Sequence, residues 1–305
     1  MPETILVIRH GALGDFVQSI WAFEAIRAQH KDAKIVLLTA PFLRDFAISM
    51  PFFDDVWVDT RPRWSNLKGL WALFSRLGKP NFSTVYDLQT SSRTQFYKRC
   101  LWALGRLPVW HGKVQDQGTD TWHTVDRQHV QLERAGIVWH KPSHFDWVPD
   151  HALALQELMG PYGLIVPLAS AHRPDKFYPI SSFRAVIDQM IQAQITPVII
   201  GARQDLSLDL GLSAHQGAQV KDLRGQTTLE DLVRLGRHAK IAIGNDTGPM
   251  HMFAIVGCPS VVLFSNASNP QLCAPRGPRV KILQVDHFSN LLPQSVWECA
   301  KALVL

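Results

Sequence analysis

Two kinds of apolar spacing alternate along the chain. Short runs rich in β-branched residues, among them residues 4–8 (TILVI), 35–38 (IVLL), 241–243 (IAI) and 260–264 (SVVLF), are too short for helices and read as buried strands. Between them apolar residues recur at three- and four-residue steps, as Phe16, Val17, Ile20, Trp21, Phe23 and Ile26 do after the first run, which predicts an amphipathic helix. In order, strands are predicted at 4–8, 35–38, 56–58 and 84–89, with a helix from 90 through 104. From 109 to 149 the pattern loosens, and His123, His129, His140, His144 and His151 are scattered among Trp and Pro with no ligand spacing. Alternation then resumes: strand 163–168, helix 181–193, strand 197–200, helix 206–214, short strand 220–223, helix 229–239 begun by Thr227 or Thr228, strands 241–243, 260–264 and 280–285, and a last helix at 294–304. Repeated strand–helix units build parallel sheets. The fold class is therefore α/β, with two Rossmann-like, doubly wound domains at 1–148 and 149–305.

Composition narrows the partners. With 305 residues and 46% apolar content the chain can fill two cores. No apolar stretch approaches the length of a membrane span, and the first residues lack the basic region of a secretion signal. Four cysteines lie far apart, which suggests neither a disulfide framework nor a zinc site and fits a reducing cytoplasm. A formal charge of +5 and a pI near 9.1 favour acidic partners such as sugar nucleotides, anionic glycolipids or an anionic membrane face. No nucleic-acid recognition motif accompanies that charge.

Four stretches carry candidate chemistry. Residues 244–251 (GNDTGPMH) follow a buried strand and open a short helix. There the glycines allow close approach, Pro249 suits a first turn, and the free N–H groups of the helix from Gly248 onward face an anion. Asp246 and Thr247 would add a carboxylate and a hydroxyl suited to a sugar beside a diphosphate, or would simply cap the helix. Residues 9–15 (RHGALGD) join the first strand to its helix, and Gly11 and Gly14 give G-x-x-G, which is neither the dinucleotide fingerprint nor the phosphate loop of ATPases. Asp15 stands at that helix start as a cap or as something more. In residues 84–93 polar groups crowd a strand's carboxyl end, which makes Gln89 and Arg93, with Gly11 opposite, candidates for an acceptor site or mere turn solvation. In residues 169–179 Lys176 can meet phosphate oxygens as a point charge or stand as a surface lysine. A further stretch, 61–79, carries Trp64, Leu67, Trp71 and Phe74 as one stripe amid basic residues. It reads as a helix packed on the sheet or as one lying in a membrane interface.

These blocks, together with 223–229 (LRGQTTL), resemble bacterial glycosyltransferase family 9, the ADP-heptose:lipopolysaccharide heptosyltransferases. The resemblance implies a GT-B fold, two Rossmann-like domains facing each other across a cleft, with the helix at 294–304 packing back toward the first domain. It implies an inverting, metal-independent transfer of a heptose or related sugar from an ADP-sugar to a lipopolysaccharide-core hydroxyl, with no cofactor. The general base falls on Asp15, the phosphate-binding lysine on Lys176, and the donor loop on Asp246, Thr247, Gly248 and His251, with Thr227 near the adenosine. The implied acceptor is a glycolipid at the cytoplasmic face of the inner membrane. A sugar-nucleotide epimerase or hydrolase on the same architecture, or a non-catalytic nucleotide-sugar-binding protein, would share the fold. Two departures from the family pattern stand out: His10 where a small polar residue is usual, and residues 265–268 (SNAS) in place of a Gly-containing turn.

Overall fold

The computed structural model describes residues 3–115, 118–138, 145–150, 158, 160–168 and 174–304. The chain divides into two compact units, Met1–Ser143 and His144–Leu305. His140, His144, His151 and residues 169–173 lie outside the described residues.

In the first unit five parallel strands, β1 (Thr4–Ile8), β2 (Lys34–Thr39), β3 (Asp55–Val58), β4 (Thr84–Asp87) and β5 (Val109–His111), form one sheet in the order β3-β2-β1-β4-β5. Its helices are α1 (Leu13–Gln18), α2 (Ile20–Gln29), α3 (Arg44–Ile48), α4 (Leu67–Gly78), α5 (Ser92–Ala103) and α6 (Thr124–Glu133). The apolar run of β1 is fully buried because β2 and β4 flank it and helices cover the sheet, and Leu6 and Ile8 share a core with Leu73 and Leu77 of α4 and Leu101 of α5. The single helix predicted across 16–26 is broken at Ser19, whose hydroxyl donates to the Asp15 carbonyl four residues back at 2.8 Å. The loose stretch after 109 holds β5 and α6. Its helix was hidden because Gln128 and Gln131 occupy the buried face where apolar residues would have marked it.

The second unit has six parallel strands, β6 (Tyr162–Val166), β7 (Thr196–Ile199), β8 (Lys221–Asp222), β9 (Ile241–Asn245), β10 (Ser260–Phe264) and β11 (Val280–Gln284), in the order β11-β10-β9-β6-β7-β8. Among its described residues the helices are α7 (Ile180–Gln192), α8 (Ala214–Gly217), α9 (Leu229–His238), α10 (Gly248–Ile255), α11 (Pro270–Cys273) and α12 (Pro293–Val304). The helix predicted at 206–214 is absent. A 3-10 turn, Arg203–Ser207, ends there, Gly211 takes φ +59°, and Ser213 begins α8 with a capping box to Gln216. In α12, Val296, Trp297 and Ala300 are buried in the second unit's core with Phe183 and Ile187 of α7.

Both sheets reverse strand order at one place, between β1 and β4 in the first unit and between β6 and β9 in the second. In doubly wound folds the crevice outside the carboxyl ends of the strands at such a reversal binds ligands. The residues after β1 and β4 are Arg9 and Leu88; the loop after β9 opens with Asp246.

Candidate active site

Three strand ends converge in the second unit. Asn245 closes β9, fully buried: its Oδ1 accepts the Tyr178 N–H at 3.0 Å and its Nδ2 donates to the Pro167 carbonyl at 2.7 Å. Gly244 is required for space, since a Cβ there would lie 2.7 Å from the Cβ of Val166 on the paired strand. Asp246 then points at Lys176, whose Nζ donates to Asp246 Oδ2 at 2.6 Å, and Ser268 Oγ donates to the same oxygen at 2.9 Å. His251 Nε2 lies 3.8 Å from the other oxygen. Burial by itself would raise the Asp246 carboxyl, but His251 and Lys176 outweigh it and hold the group below the ordinary carboxylate range. The helix-capping alternative is not realised: Thr247 is the N-cap of α10 but makes no side-chain cap bond, its hydroxyl turning back to the Asn245 carbonyl at 3.2 Å. Thr228, rather than Thr227, caps α9 through a capping box with Asp231. The departure at 265–268 is used structurally, because Ser265 Oγ donates to the Asp175 carbonyl at 2.7 Å while Ser268 holds Asp246.

In the first unit Asp15 is no cap either. Ala12 is the N-cap of α1, there is no side-chain cap bond, and the Asp15 side chain is 45% exposed. Its neighbour is Arg9, which is buried, donates to the Leu88 carbonyl and to the Asp15 backbone carbonyl, and lies 3.4 Å from Asp15 Oδ1. Burial pulls the Arg9 guanidinium below its ordinary value, against the charges of Asp15 and Asp87. Beside them opens a cavity of about 200 Å³ whose lining includes Asp15, Gln89, Lys113, Arg127, Gln128 and Gln131.

Of the acceptor candidates, Gln89 lines this cavity, but its Oε1 accepts the His10 N–H at 2.8 Å. Arg93 does not line it; its Nη2 donates to the Pro62 carbonyl at 2.9 Å and its guanidinium lies 4.6 Å from the Trp64 ring centroid. Gly11, also outside the lining, turns the chain with φ +101°. Asp87, the next carboxylate at a strand end, is fully buried, and burial pushes it up. Sequence reasoning missed Lys113, Arg127, Gln128 and Gln131; the signal was a polar stripe at helical spacing, Thr124, Gln128 and Gln131. Gln128 is buried, its Nε2 donates to Ser19 Oγ at 2.8 Å, and its Oε1 has no partner among the described residues.

Residues 120–300 match Glycosyltransferase family 9 (heptosyltransferase), more than half of the chain. The chain belongs to glycosyltransferase family 9. Lipopolysaccharide heptosyltransferase 2 of Salmonella typhimurium is 27% identical over 116 residues, 37% of this chain and 33% of that enzyme. The E. coli ADP-heptose lipopolysaccharide heptosyltransferase II structure superposes with a TM-score of 0.78 at 20% identity, over 99% of this chain and 98% of that one. E. coli heptosyltransferase WaaC, solved with ADP-2-deoxy-2-fluoro heptose, gives 0.73 at 15% identity over 98% and 99%. The family 9 chain thus has the GT-B fold of these enzymes, an α/β fold with two Rossmann-like sheets, and family membership makes it a glycosyltransferase.

Proposed function

We propose that this family 9 transferase moves a heptose or closely related sugar from an ADP-sugar to a hydroxyl of a lipopolysaccharide-core acceptor, by a single inverting displacement without a metal ion. The observation that carries the reading is Asp15: a half-exposed carboxylate lining a cavity, beside a buried arginine and excused from capping its helix. The ADP-heptose analogue bound in the WaaC structure supports the choice of donor.

In this reading the acceptor hydroxyl lies in the cavity and gives its proton to Asp15 as it attacks the anomeric carbon. Such proton removal contributes roughly a hundredfold to ten-thousandfold. Arg9 holds the base in place through the Asp15 backbone carbonyl and stands 3.4 Å from its carboxylate. The leaving diphosphate meets the N–H groups at the start of α10, from Gly248 onward, and the ammonium of Lys176, so that charge developing on the leaving oxygens finds donors already fixed. Asp246 orients Lys176, Thr247 and His251 border the sugar, and Thr227 lies on the adenosine side. Lys113 and Arg127 give the acceptor cavity a cationic wall. The exposed residues of α4 hold the enzyme against an anionic inner-membrane surface, where a glycolipid acceptor would be presented.

A donor panel of ADP-heptose and ADP-, UDP- and GDP-hexoses, scored by nucleotide release with and without lipopolysaccharide-core acceptors, tests this. Acceptor-dependent ADP release from ADP-heptose is expected. Release of free sugar or epimer without acceptor would replace the reading with an epimerase or hydrolase.

A further inference from the structure

We propose that His10 and Asp59 are positioning residues, a buried pair that fixes the start of the loop carrying Asp15. The inference rests on the reading of Asp15 as the base. His10 lies two residues past the end of β1 and is 2% exposed; Asp59 follows β3 directly and is 1% exposed. These strands are not neighbours, since β2 lies between them, so the imidazole reaches across the end of β2 to bring its Nε2 within 3.0 Å of Asp59 Oδ2, a close charge contact that lacks the alignment of a hydrogen bond. The Asp59 backbone is itself held on β2, its N–H donating to the Thr39 carbonyl at 2.8 Å.

The carboxylate is fully engaged. Tyr97, also buried, donates its hydroxyl to Asp59 Oδ2 at 2.5 Å, and the Arg61 N–H donates to Oδ1 at 2.7 Å. On the other side of His10 the attachments are equally direct. Its own N–H donates to Gln89 Oε1, the Arg9 N–H donates to the Leu38 carbonyl at 3.0 Å, and the Arg9 guanidinium spans the Leu88 and Asp15 carbonyls. Residues 9 and 10 are thereby fastened to the carboxyl ends of β2, β3 and β4 at once. Three residues past His10, α1 begins at Leu13 and presents Asp15.

A histidine that only filled the core would need no charged neighbour. Here its partner is a carboxylate taken wholly out of water, the costliest partner available, because desolvation offsets much of the attraction of a buried pair. Neither residue is among those lining the cavity. What the pair supplies is geometry: a base must sit within hydrogen-bond reach of the proton it removes, and a misplacement of about 1 Å can cost about a hundredfold in rate.

The test is turnover of ADP-heptose with a lipopolysaccharide-core acceptor, with donor KM and melting temperature measured alongside. Asp59→Asn and His10→Leu are expected to lower kcat about a hundredfold with donor KM unchanged. His10→Gln, whose amide nitrogen reaches the place of Nε2, is expected to restore most of it. Tyr97→Phe, which deletes one hydroxyl and leaves the core filled, guards against misfolding of the other variants and should lose about tenfold, the scale of one hydrogen bond to a charged group. If Asp15→Asn abolishes turnover while Asp59→Asn and Tyr97→Phe stay within about twofold of wild type, the positioning role is overturned alone. Losses that follow melting temperature across the set, with no rescue by His10→Gln, overturn it as well. Turnover retained by Asp15→Asn overturns the base reading and this inference with it.

Discussion

Lys176 and Asp246, seventy residues apart, are joined by a 2.6 Å hydrogen bond that ties the turn after β6 to the loop after β9. Both side chains are largely buried, so the lysine head is aimed rather than free. Lys176→Ala should weaken ADP-sugar binding by about 1.5–3 kcal/mol, the range for a charge-assisted bond to phosphate, or roughly ten- to hundredfold in Kd. Titration calorimetry reads this directly, and EDTA should leave activity unchanged. Unaltered donor affinity would remove Lys176 from the donor site.

The same pair sets an acid limit on stability. The Asp246 carboxyl is held below its ordinary value in the folded chain, so the unfolded chain takes up the proton first as pH falls. Its contribution is full above the unfolded value of about 4 and disappears as pH drops through the lower folded value. Denaturant unfolding of wild type and Asp246→Asn should therefore differ most near neutrality and converge below about pH 4. A difference that grows toward acid would contradict the pairing.

The basic stretch at 61–79 resolves into two faces. Leu73 and Leu77 of α4 are buried in the core, whereas Leu67 and Trp71 are 74% exposed and Trp64 is 54% exposed. The stripe noted in the sequence is therefore mostly an outward one; Phe74 alone turns to the core, and Trp64 is steadied by Phe96 and Arg93. Vesicles containing anionic lipid should sediment the protein in a salt-sensitive way. Exchanging Arg63 and Lys68 for Glu should weaken that by about 1 kcal/mol per residue, and Trp71→Ser should weaken it further. Arg76 is left out because its guanidinium stacks 4.3 Å from the Trp57 ring centroid. Identical sedimentation of all forms would make the face ordinary solvated surface.

If the cavity beside Asp15 takes the acceptor, as proposed, a separable prediction follows. Arg127, whose Nη2 donates to Thr124 Oγ1 at 3.0 Å, and Lys113, paired at 2.9 Å with Asp120, stand on its wall. Arg127→Gln should raise the acceptor KM about tenfold or more while donor affinity stays within about twofold. Steady-state kinetics with each substrate varied in turn separates the two. A change confined to the donor would relocate the acceptor.

Much of this was legible because it depends on spacing. The two doubly wound halves follow from short apolar runs alternating with helical periods, and the loops after β1, β6 and β9 announce themselves as polar stretches behind buried strands, the first and last of them bearing glycine. What stayed hidden depends on side chains meeting across the fold. Gln128 and Gln131 are polar residues on a buried helix face, so the helix that carries the cavity looked like a linker. Gln89 and Arg93 read equally as acceptor ligands or as turn polar groups, and the contacts that one makes to the His10 backbone and the other to Pro62 and Trp64 could not be read from spacing. No spacing rule links His10 to Asp59, because the strands that bring them together are not adjacent.

The central claim is that Asp15 accepts the proton. Because the side chain caps nothing, Asp15→Asn should leave melting temperature and donor affinity almost unmoved. Turnover at saturating ADP-sugar and acceptor should fall by roughly two to four orders of magnitude, since the amide keeps the shape but cannot take the proton. Near-wild-type turnover of this one variant would contradict the account.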